Sequence, residues 1–415
     1  MKILFINQFY WPDAAATGQF LDDLVRHLAA LGHDVTVICS GNRYADTVPI
    51  GQVPPARIIR VRGIPFARSV AARGLSYLSF FAGAFWQALR APRHDLIVTM
   101  TTPPLLSVIG ESVRRLRGTR HFIWEMDLFP DALVSLNAMR EGSWPDRALG
   151  FLADYCRKKS EGVIALGSCM QERLLKRGIP SERIYVADNW ADGREIHPSP
   201  AVRNKDIHIL YSGNLGLSHD IETIAGAMRM LDGDLRFRFS FAGGGVRRTE
   251  LEELCRAKRI GNAAFLPYAR RCDVAATLAA ADIGLVTLKP ECVGTVVPSK
   301  VYGLLAAGTP ILFIGPRNAS ASRLIEKHAC GWQVDCGEPA ALVNLLQALQ
   351  RDPGRVRAAG MRARQAFEKN YDIRLGVSRI TEILGIVSPA AAPTPSAGRI
   401  ANRENSSAIT TVLEA

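Results

Sequence analysis

An α/β chain of two doubly wound, parallel-sheet domains facing each other across a cleft is the fold class this sequence predicts, and three observations predict it. Apolar runs of strand length alternate with amphipathic runs of helix length, the pattern of sheets built from βαβ units. At 415 residues the chain is too long for one ordinary core, and its 48% hydrophobic residues suffice for two. A polar stretch from Asn189 to Asp206, holding Pro198 and Pro200, separates two such alternating series and reads as an interdomain linker.

In chain order, the first series gives strands near 2–7, 34–39, 57–61, 95–100, 120–125, 162–165 and 183–187. Its helices fall near 17–31, 75–90, 104–117, 145–159 and 167–178. The opening Met1-Lys2-Ile3-Leu4-Phe5-Ile6-Asn7 is too short for a secretory leader and lacks a small-residue cleavage site, so it is read as the first strand. Gly74 to Leu89 is uncharged and aromatic-rich but falls short of the roughly 20 residues that span a bilayer, so no transmembrane segment is expected. The second series gives strands near 207–212, 236–242, 263–266, 282–287, 310–314 and 331–334. Helices alternate with them near 219–230, 247–258, 271–280, 299–307, 319–328 and 338–350. From Pro353 to about Ile386 the pattern is helical, interrupted near Tyr371. The domains expected are therefore 1–198 and 199–370, with a C-terminal helix over 371–387 and a Ser/Ala/Pro/Thr-rich disordered tail over 388–415.

Net charge is +12, which favours anionic partners. The excess is concentrated between Arg57 and Arg120, where arginines 57, 60, 62, 68, 73, 90, 93, 114, 115, 117 and 120 face only Asp95 and Glu111. With Tyr77, Phe80, Phe81, Phe85 and Trp86 inside it, this zone is suited to an anionic membrane surface; the alternative is a core helix flanked by solvated arginines. Nothing resembles a nucleic-acid module, so nucleic acid is not an expected partner. The eight cysteines (39, 156, 169, 255, 272, 292, 330, 336) show no C-x-x-C and no zinc-like spacing, and are read as reduced thiols of a cytoplasmic protein.

Ligands of open parallel sheets bind at the carboxyl ends of the strands. Val297-Pro298-Ser299-Lys300 precedes a short helix ending at Gly308, which places a helix N-terminus and a lysine at such an end, a combination suited to phosphate. Gly213-Asn214-Leu215-Gly216 and Ala242-Gly243-Gly244-Gly245 are glycine-rich turns after two strands of the same domain. After the first strand of the other domain, Trp11 to Gln19 leads into the first helix through Thr17 and Gly18. No G-x-G-x-x-G follows a first strand, which argues against a nicotinamide dehydrogenase. After the fifth strand, Trp124-Glu125-Met126-Asp127-Leu128-Phe129-Pro130-Asp131 offers carboxylates that could orient or deprotonate an acceptor hydroxyl; Asp131 as a helix cap is the structural alternative.

These loops in this order, with Ala306-Ala307-Gly308-Thr309-Pro310, resemble the nucleotide-sugar domain of retaining family 4 (group 1) glycosyltransferases of the GT-B fold. Gly32-His33-Asp34-Val35-Thr36-Val37 and Asn189-Trp190-Ala191-Asp192 are similar to the same family, nearest in look to enzymes of bacterial exopolysaccharide, capsule and O-antigen synthesis. The resemblance implies two Rossmann-like domains and a C-terminal helix crossing back to the first. It implies a hexosyltransferase-like enzyme taking sugar from a UDP- or GDP-linked donor, with no metal and no other cofactor. The acceptor implied is a polyprenyl-diphosphate-linked saccharide, reached from the inner face of the cytoplasmic membrane.

Carried over residue by residue, the donor site would comprise Thr17, Gly18, Gly213, Asn214, Gly216, His219, Gly243, Gly244, Thr295, Pro298, Ser299, Lys300 and Tyr302. Asp127 and Lys300 would be catalytic, and Asp127 and Asp131 would meet the acceptor. The chain departs from the family where many members carry two glutamates, the second a ribose ligand; Thr295 and Gly303 stand there. Asn214 and His219 likewise replace an Arg and a Lys, which shifts phosphate neutralisation toward Lys300, helix termini and His219. A nucleotide-sugar 2-epimerase on the same fold and a non-catalytic nucleotide-sugar-binding partner are the alternatives.

Overall fold

The structure, a computed structural model, describes residues 1–13, 15–42, 52–65, 70–198 and 206–386. Arg68, part of the linker and the tail expected over 388–415 lie outside the described residues. The first sheet holds β1 (Lys2–Ile6), β2 (Asp34–Ser40), β3 (Arg57–Val61), β4 (Leu96–Thr99), β5 (Arg120–Glu125), β6 (Gly162–Ala165) and β7 (Ile184–Val186). Its helices are α1 (Ala16–Ala30), α2 (Val70–Arg90), α3 (Ser107–Arg117), α4 (Asp131–Ser135), α5 (Trp144–Lys159) and α6 (Ser168–Lys176). The second sheet holds β8 (Ile207–Asn214), β9 (Phe237–Gly244), β10 (Ala263–Leu266), β11 (Ile283–Thr287), β12 (Ile311–Ile314) and β13 (Gly331–Val334). With it come α7 (Glu222–Met230), α8 (Val246–Ala257), α9 (Arg271–Ala279), α10 (Lys300–Ala307), α11 (Ser320–His328), α12 (Pro339–Arg351), α13 (Pro353–Asn370) and α14 (Ile373–Ile383).

Both sheets are parallel throughout, in the orders β3-β2-β1-β4-β5-β6-β7 and β10-β9-β8-β11-β12-β13. The direction of winding reverses between β1 and β4 and again between β8 and β11, so each domain has a topological switch point where a ligand crevice forms. Central strands such as β4, β6 and β11 are buried along their whole length, hence their unbroken apolar runs; the edge strand β10 alternates instead.

One face of the first sheet packs Leu21, Leu24, Val25 and Leu28 of α1 against Phe5, Val37 and Val98. The other packs Phe80, Ala84 and Ala88 of α2 against Leu4, Ile6, Ile38 and Ile97. Phe80 is therefore core, Phe81 and Phe85 are half-buried, and Trp86 alone of that aromatic set lies well out in solvent. α14 follows the second domain's α13 yet buries Val377 and Ile380, with Leu384 just after it, in the first domain's core.

Every expected strand is present. β8 and β9 run on to Asn214 and Gly244, because the glycine turns themselves pair, Gly213 with Gly243 and Asn214 with Gly244. α2 starts earlier than expected, at Val70, and α3 later, at Ser107, since Pro103 and Pro104 cannot continue a helix backbone. α7 starts at Glu222 rather than 219, and α4 is a single turn the apolar spacing did not disclose.

Candidate active site

A cleft of about 1340 Å³ lies between the carboxyl ends of the two sheets. Ser212, Leu285, Ser299, Lys300, Gly303 and Leu304 line it from the second domain, with Val274 and Leu278 of α9. No carboxylate is among these.

α10 begins at the switch point, and the N–H groups of its first turn have no intrahelical acceptor. Ser299 occupies the cap position, but its side chain makes no capping bond and instead lines the cleft. The Lys300 stem runs over Gly213, where a Cβ would lie 2.7 Å from its Cε, and its Nζ sits 5.3 Å from the Tyr211 ring centroid. Burial alone pushes the ammonium down to about 8. A half-buried cation with no carboxylate against it among the described residues is electrostatically incomplete, a setting suited to an anion.

Gly243 shows why glycines recur here: its φ is +133°, and a Cβ would come within 2.1 Å of the Gly213 carbonyl oxygen. The two turns are thereby nested at backbone distance. Gly244 lies under the Tyr268 ring, while the exposed Asn214 folds its amide back over Gly216.

Several expectations need correction. Tyr302 is not in the donor site. It lies two residues after Lys300 and so on another face of α10, packing on Tyr371 with ring centroids 5.4 Å apart and donating to Asp188 at 3.3 Å. Thr295 is fully buried, its hydroxyl donating to Cys292 O at 3.0 Å and to Ser135 Oγ at 3.3 Å. Pro298 is likewise buried in the turn before α10. His219 brings no positive charge: burial and the charge of Lys300 push its imidazole down to about 3, and its Nδ1 meets Gly216 O at 3.0 Å.

Asp127 and Asp131 are also displaced from their expected roles. Asp127 pairs its backbone with Val296 of the second domain, and its carboxyl is pushed up to about 6 by burial and by Glu125. It belongs to the seam between the domains rather than to the lining of the cleft. Asp131 is gripped by Arg177 at 3.1 Å and Arg173 at 3.6 Å and has no carboxylate to offer an acceptor.

The wall facing α10 is built largely by residues the sequence reading missed. Gly18 lines the cleft as expected, and a side chain there would crowd Phe9 O at 3.0 Å. Thr17 lies behind it, 3.5 Å from Asn7 Nδ2. Around Gly18 stand Trp11, Asp13, Gln19, Asp22 and Asp23, joined by Trp190 and Glu195. Trp190 stacks on Trp124 at 6.0 Å, meets Phe20 edge-on at 5.3 Å and donates its indole N–H to Asp23 at 2.8 Å. Arg374 and Ser378 reach the cleft from α14. The signal for α1 was available: Gln19, Asp22, Asp23 and Arg26 form a polar stripe at helical spacing on the helix that follows the first strand.

Two facing Rossmann-like domains with a helix start and a lysine at the cleft between them have the GT-B architecture of nucleotide-sugar-dependent glycosyltransferases. Family models agree: residues 16–190 match the glycosyl transferase 4-like domain and residues 192–366 match glycosyl transferases group 1. The chain belongs to the group 1 glycosyltransferases. It is 27% identical over 374 residues to the probable glycosyltransferase WbjE of Pseudomonas aeruginosa, covering 84% of this chain and 89% of that protein. It is 26% identical over 381 residues to the putative colanic acid biosynthesis glycosyl transferase WcaI of Escherichia coli K12, covering 85% and 92%. The solved structure of HepE from Anabaena with UDP and glucose superposes with a TM-score of 0.71 at 16% identity, over 93% of this chain and all of that one.

Proposed function

We propose that this enzyme transfers a hexose-like sugar, with retention of configuration, from a UDP- or GDP-linked donor to a polyprenyl-diphosphate-linked saccharide during synthesis of a bacterial surface polysaccharide. The observation that carries the reading is the division of the cleft. One wall is carboxylate-free and ends in Lys300 and the α10 N-terminus; the other is rich in aromatic rings and carboxylates.

On this reading the diphosphate lies against Lys300, the α10 amides and the Ser299 hydroxyl. As the bond from the sugar's anomeric carbon to the phosphate oxygen breaks, the charge growing on the phosphate is met by donors already in place, with no metal required. The acceptor oxygen bonds to the anomeric carbon on the same face and passes its proton to the departing phosphate oxygen. Trp11 supplies a stacking face and Asp13 and Asp23 supply hydroxyl acceptors of the kind a saccharide needs, with the buried Trp190 holding Asp23 in place. The colanic acid assignment of WcaI supports the polysaccharide role, and UDP in HepE supports the donor class.

Cytoplasmic, peripheral attachment to the membrane is part of the proposal. No helix among the described residues is long and apolar enough to cross a bilayer. The first domain's outer layer instead exposes Trp86 of α2, Leu116 of α3 and Phe151 of α5. Arg90 lies 4.3 Å over Trp86, Arg115 lies 5.2 Å over Tyr155, and Arg117 reaches from α3 to Ala91 O, which makes these positions one basic and apolar belt.

The test is incubation with UDP- and GDP-sugars and a polyprenyl-diphosphate saccharide in the presence of EDTA. Glycosylated lipid with the donor's anomeric configuration is expected. No turnover with any donor, or a modified sugar formed without acceptor, overturns the reading. Sedimentation with phosphatidylglycerol vesicles but not with phosphatidylcholine vesicles is expected, and Trp86→Ala with Arg90→Ala should abolish it.

A further inference from the structure

Where the two domains touch below the cleft, one arginine of the first domain holds the backbone of the second. Arg173, on α6, donates from Nε to the Val293 carbonyl at 2.6 Å and from an Nη to the Glu291 carbonyl at 3.3 Å. Both carbonyls belong to the loop that leads from β11 to Ser299 and Lys300. The guanidinium's remaining arm reaches the Asp131 carboxylate at 3.6 Å.

That carboxylate is itself anchored. Arg177 joins Asp131 at 3.1 Å to Asp154 at 2.9 Å; Arg157 joins Asp154 at 3.0 Å to Glu125 at 2.7 Å. Glu125 and Arg157 are each 2% exposed, and Glu125 ends β5. A run of alternating charges thus ties Arg173 to the centre of the first sheet. Buried at its Glu125 end and multiply bonded along its length, this run holds Asp131 in a more fixed geometry than an isolated exposed pair would.

The surfaces around the arginine are cut to fit. A Cβ on Gly294 would lie 2.5 Å from Cys169 O and 3.0 Å from Arg173 Cγ. Beside it Leu128 N donates to Thr295 O at 2.9 Å, and Arg323 of α11 reaches Ser168 at 2.9 Å. Arg173 itself is not among the residues lining the cleft.

We infer that Arg173 is a positioning residue of the transfer reaction: it clamps the donor-site loop to the first domain and so sets the separation between the two walls of the cleft. This rests on the transferase reading above. Displacing a reacting group by about 1 Å costs on the order of a hundredfold in rate, whereas donor contacts made within one wall survive the displacement. Loss of the clamp therefore lowers kcat and spares donor binding, which a general loss of folding does not do.

The experiment uses the full-length chain as Arg173→Ala, Arg173→Lys and, from the opposite side of the seam, Gly294→Ala. Expected for Arg173→Ala are a kcat at least tenfold lower, UDP or GDP affinity by calorimetry within twofold of the parent, and a larger radius of gyration by small-angle scattering. Lysine, which reaches one of the three acceptors but cannot fork, should recover part of kcat. Gly294→Ala should reproduce the loss should Arg173→Ala fail to fold. An unchanged kcat, or a fall in kcat and nucleotide affinity together in proportion to the folded fraction, overturns the inference. If the parent transfers no sugar at all, the transferase reading fails. The scattering comparison then decides the clamp: an unchanged radius of gyration overturns it, and a larger one upholds it as a device that sets the cleft.

Discussion

The first six strands of the first sheet and the six of the second are laid down in the same order, yet the loops at their carboxyl ends recognise by different means. After β8 and β9 the turns are glycine-rich, and the longer loop after β11 leads to the start of α10, so that this side offers backbone, Lys300 and a helix start. After β1, and at Trp190, the loops offer large side chains held by one another: Trp190 by Trp124, Phe20 and Asp23. On the proposed function, the difference teaches that a common ligand part, a diphosphate, is met by main chain that a fold can supply almost anywhere. A variable part, a saccharide, is met by side chains that can change without disturbing the sheet.

Four substitutions break or sharpen that contrast, beginning with the largest expected effect. Lys300→Ala should lower kcat/KM by about 10² to 10³-fold, the loss expected on removing one preorganised donor from developing charge. Its melting temperature at pH 7 should not fall, because the lysine's charge is carried at a desolvation cost with only the Tyr211 ring, and no carboxylate among the described residues, against it. The ammonium sits near 8 in the free enzyme and a bound diphosphate raises it. Donor binding should therefore take up a proton between about pH 8 and pH 10 and weaken as pH rises through that range, which calorimetry in buffers of different ionisation enthalpy reads directly.

Gly376→Ala tests the other wall. A Cβ there would lie 2.3 Å from the Trp190 ring, so α14 must shift, at about 1 to 3 kcal/mol by denaturant titration. Saccharide acceptor KM should rise while nucleotide affinity holds.

Asp127→Asn separates seam from cleft. The native carboxyl titrates near 6, above its unfolded value near 3.8, so the parent gains stability as pH falls from 6 toward 4. The asparagine variant should lack that gain in pH-dependent melting, be no less stable at pH 7, and keep kcat within about threefold, as expected of a residue that touches no substrate. A loss greater than tenfold would return Asp127 to the reacting groups.

The smallest effect belongs to Gly303→Ala. Its Cβ would meet Leu278 Cδ1 at 3.5 Å and Ile196 Cδ1 at 3.9 Å, ordinary contacts, and alanine in a helix is favoured over glycine by about 1 kcal/mol. A slightly higher melting point with donor affinity nearly unchanged is expected.

Gly18, Ser299 and Lys300 were legible as cleft residues because their signals are local, whereas Gly213, Asn214, Gly216, Gly243 and Gly244, also expected at the donor, are not among the residues lining the cleft. Pro298-Ser299-Lys300 and Gly243-Gly244-Gly245 announce themselves within a few residues, since a helix start or a positive φ leaves its mark on the residue that adopts it. The misplacement of Tyr302 came from reading α10 as a motif instead of as a helix: Lys300 and Gly303 share a face, and Tyr302 does not. The opposite wall was largely illegible because it is assembled from α1, Trp190 and α14, and the apolar pattern of α14 records burial in a core without saying whose. Asp131 failed for a related reason: the arginines that occupy it lie on a different helix, α6.

The chain passes between the domains twice, and the two passages run side by side. Ala191 N donates to Tyr371 O at 3.2 Å, and Ile373 N donates to Ala191 O at 2.9 Å. A single connecting strand would leave the second domain free to swing and twist about every axis. Two strands bonded to one another act as paired pins in a hinge, leaving one rotation that opens or narrows the cleft and suppressing the torsion that would slide one wall past the other. Opening of the cleft to admit a donor is thereby favoured along that rotation over a slide of one wall past the other, so the same walls meet again when it shuts.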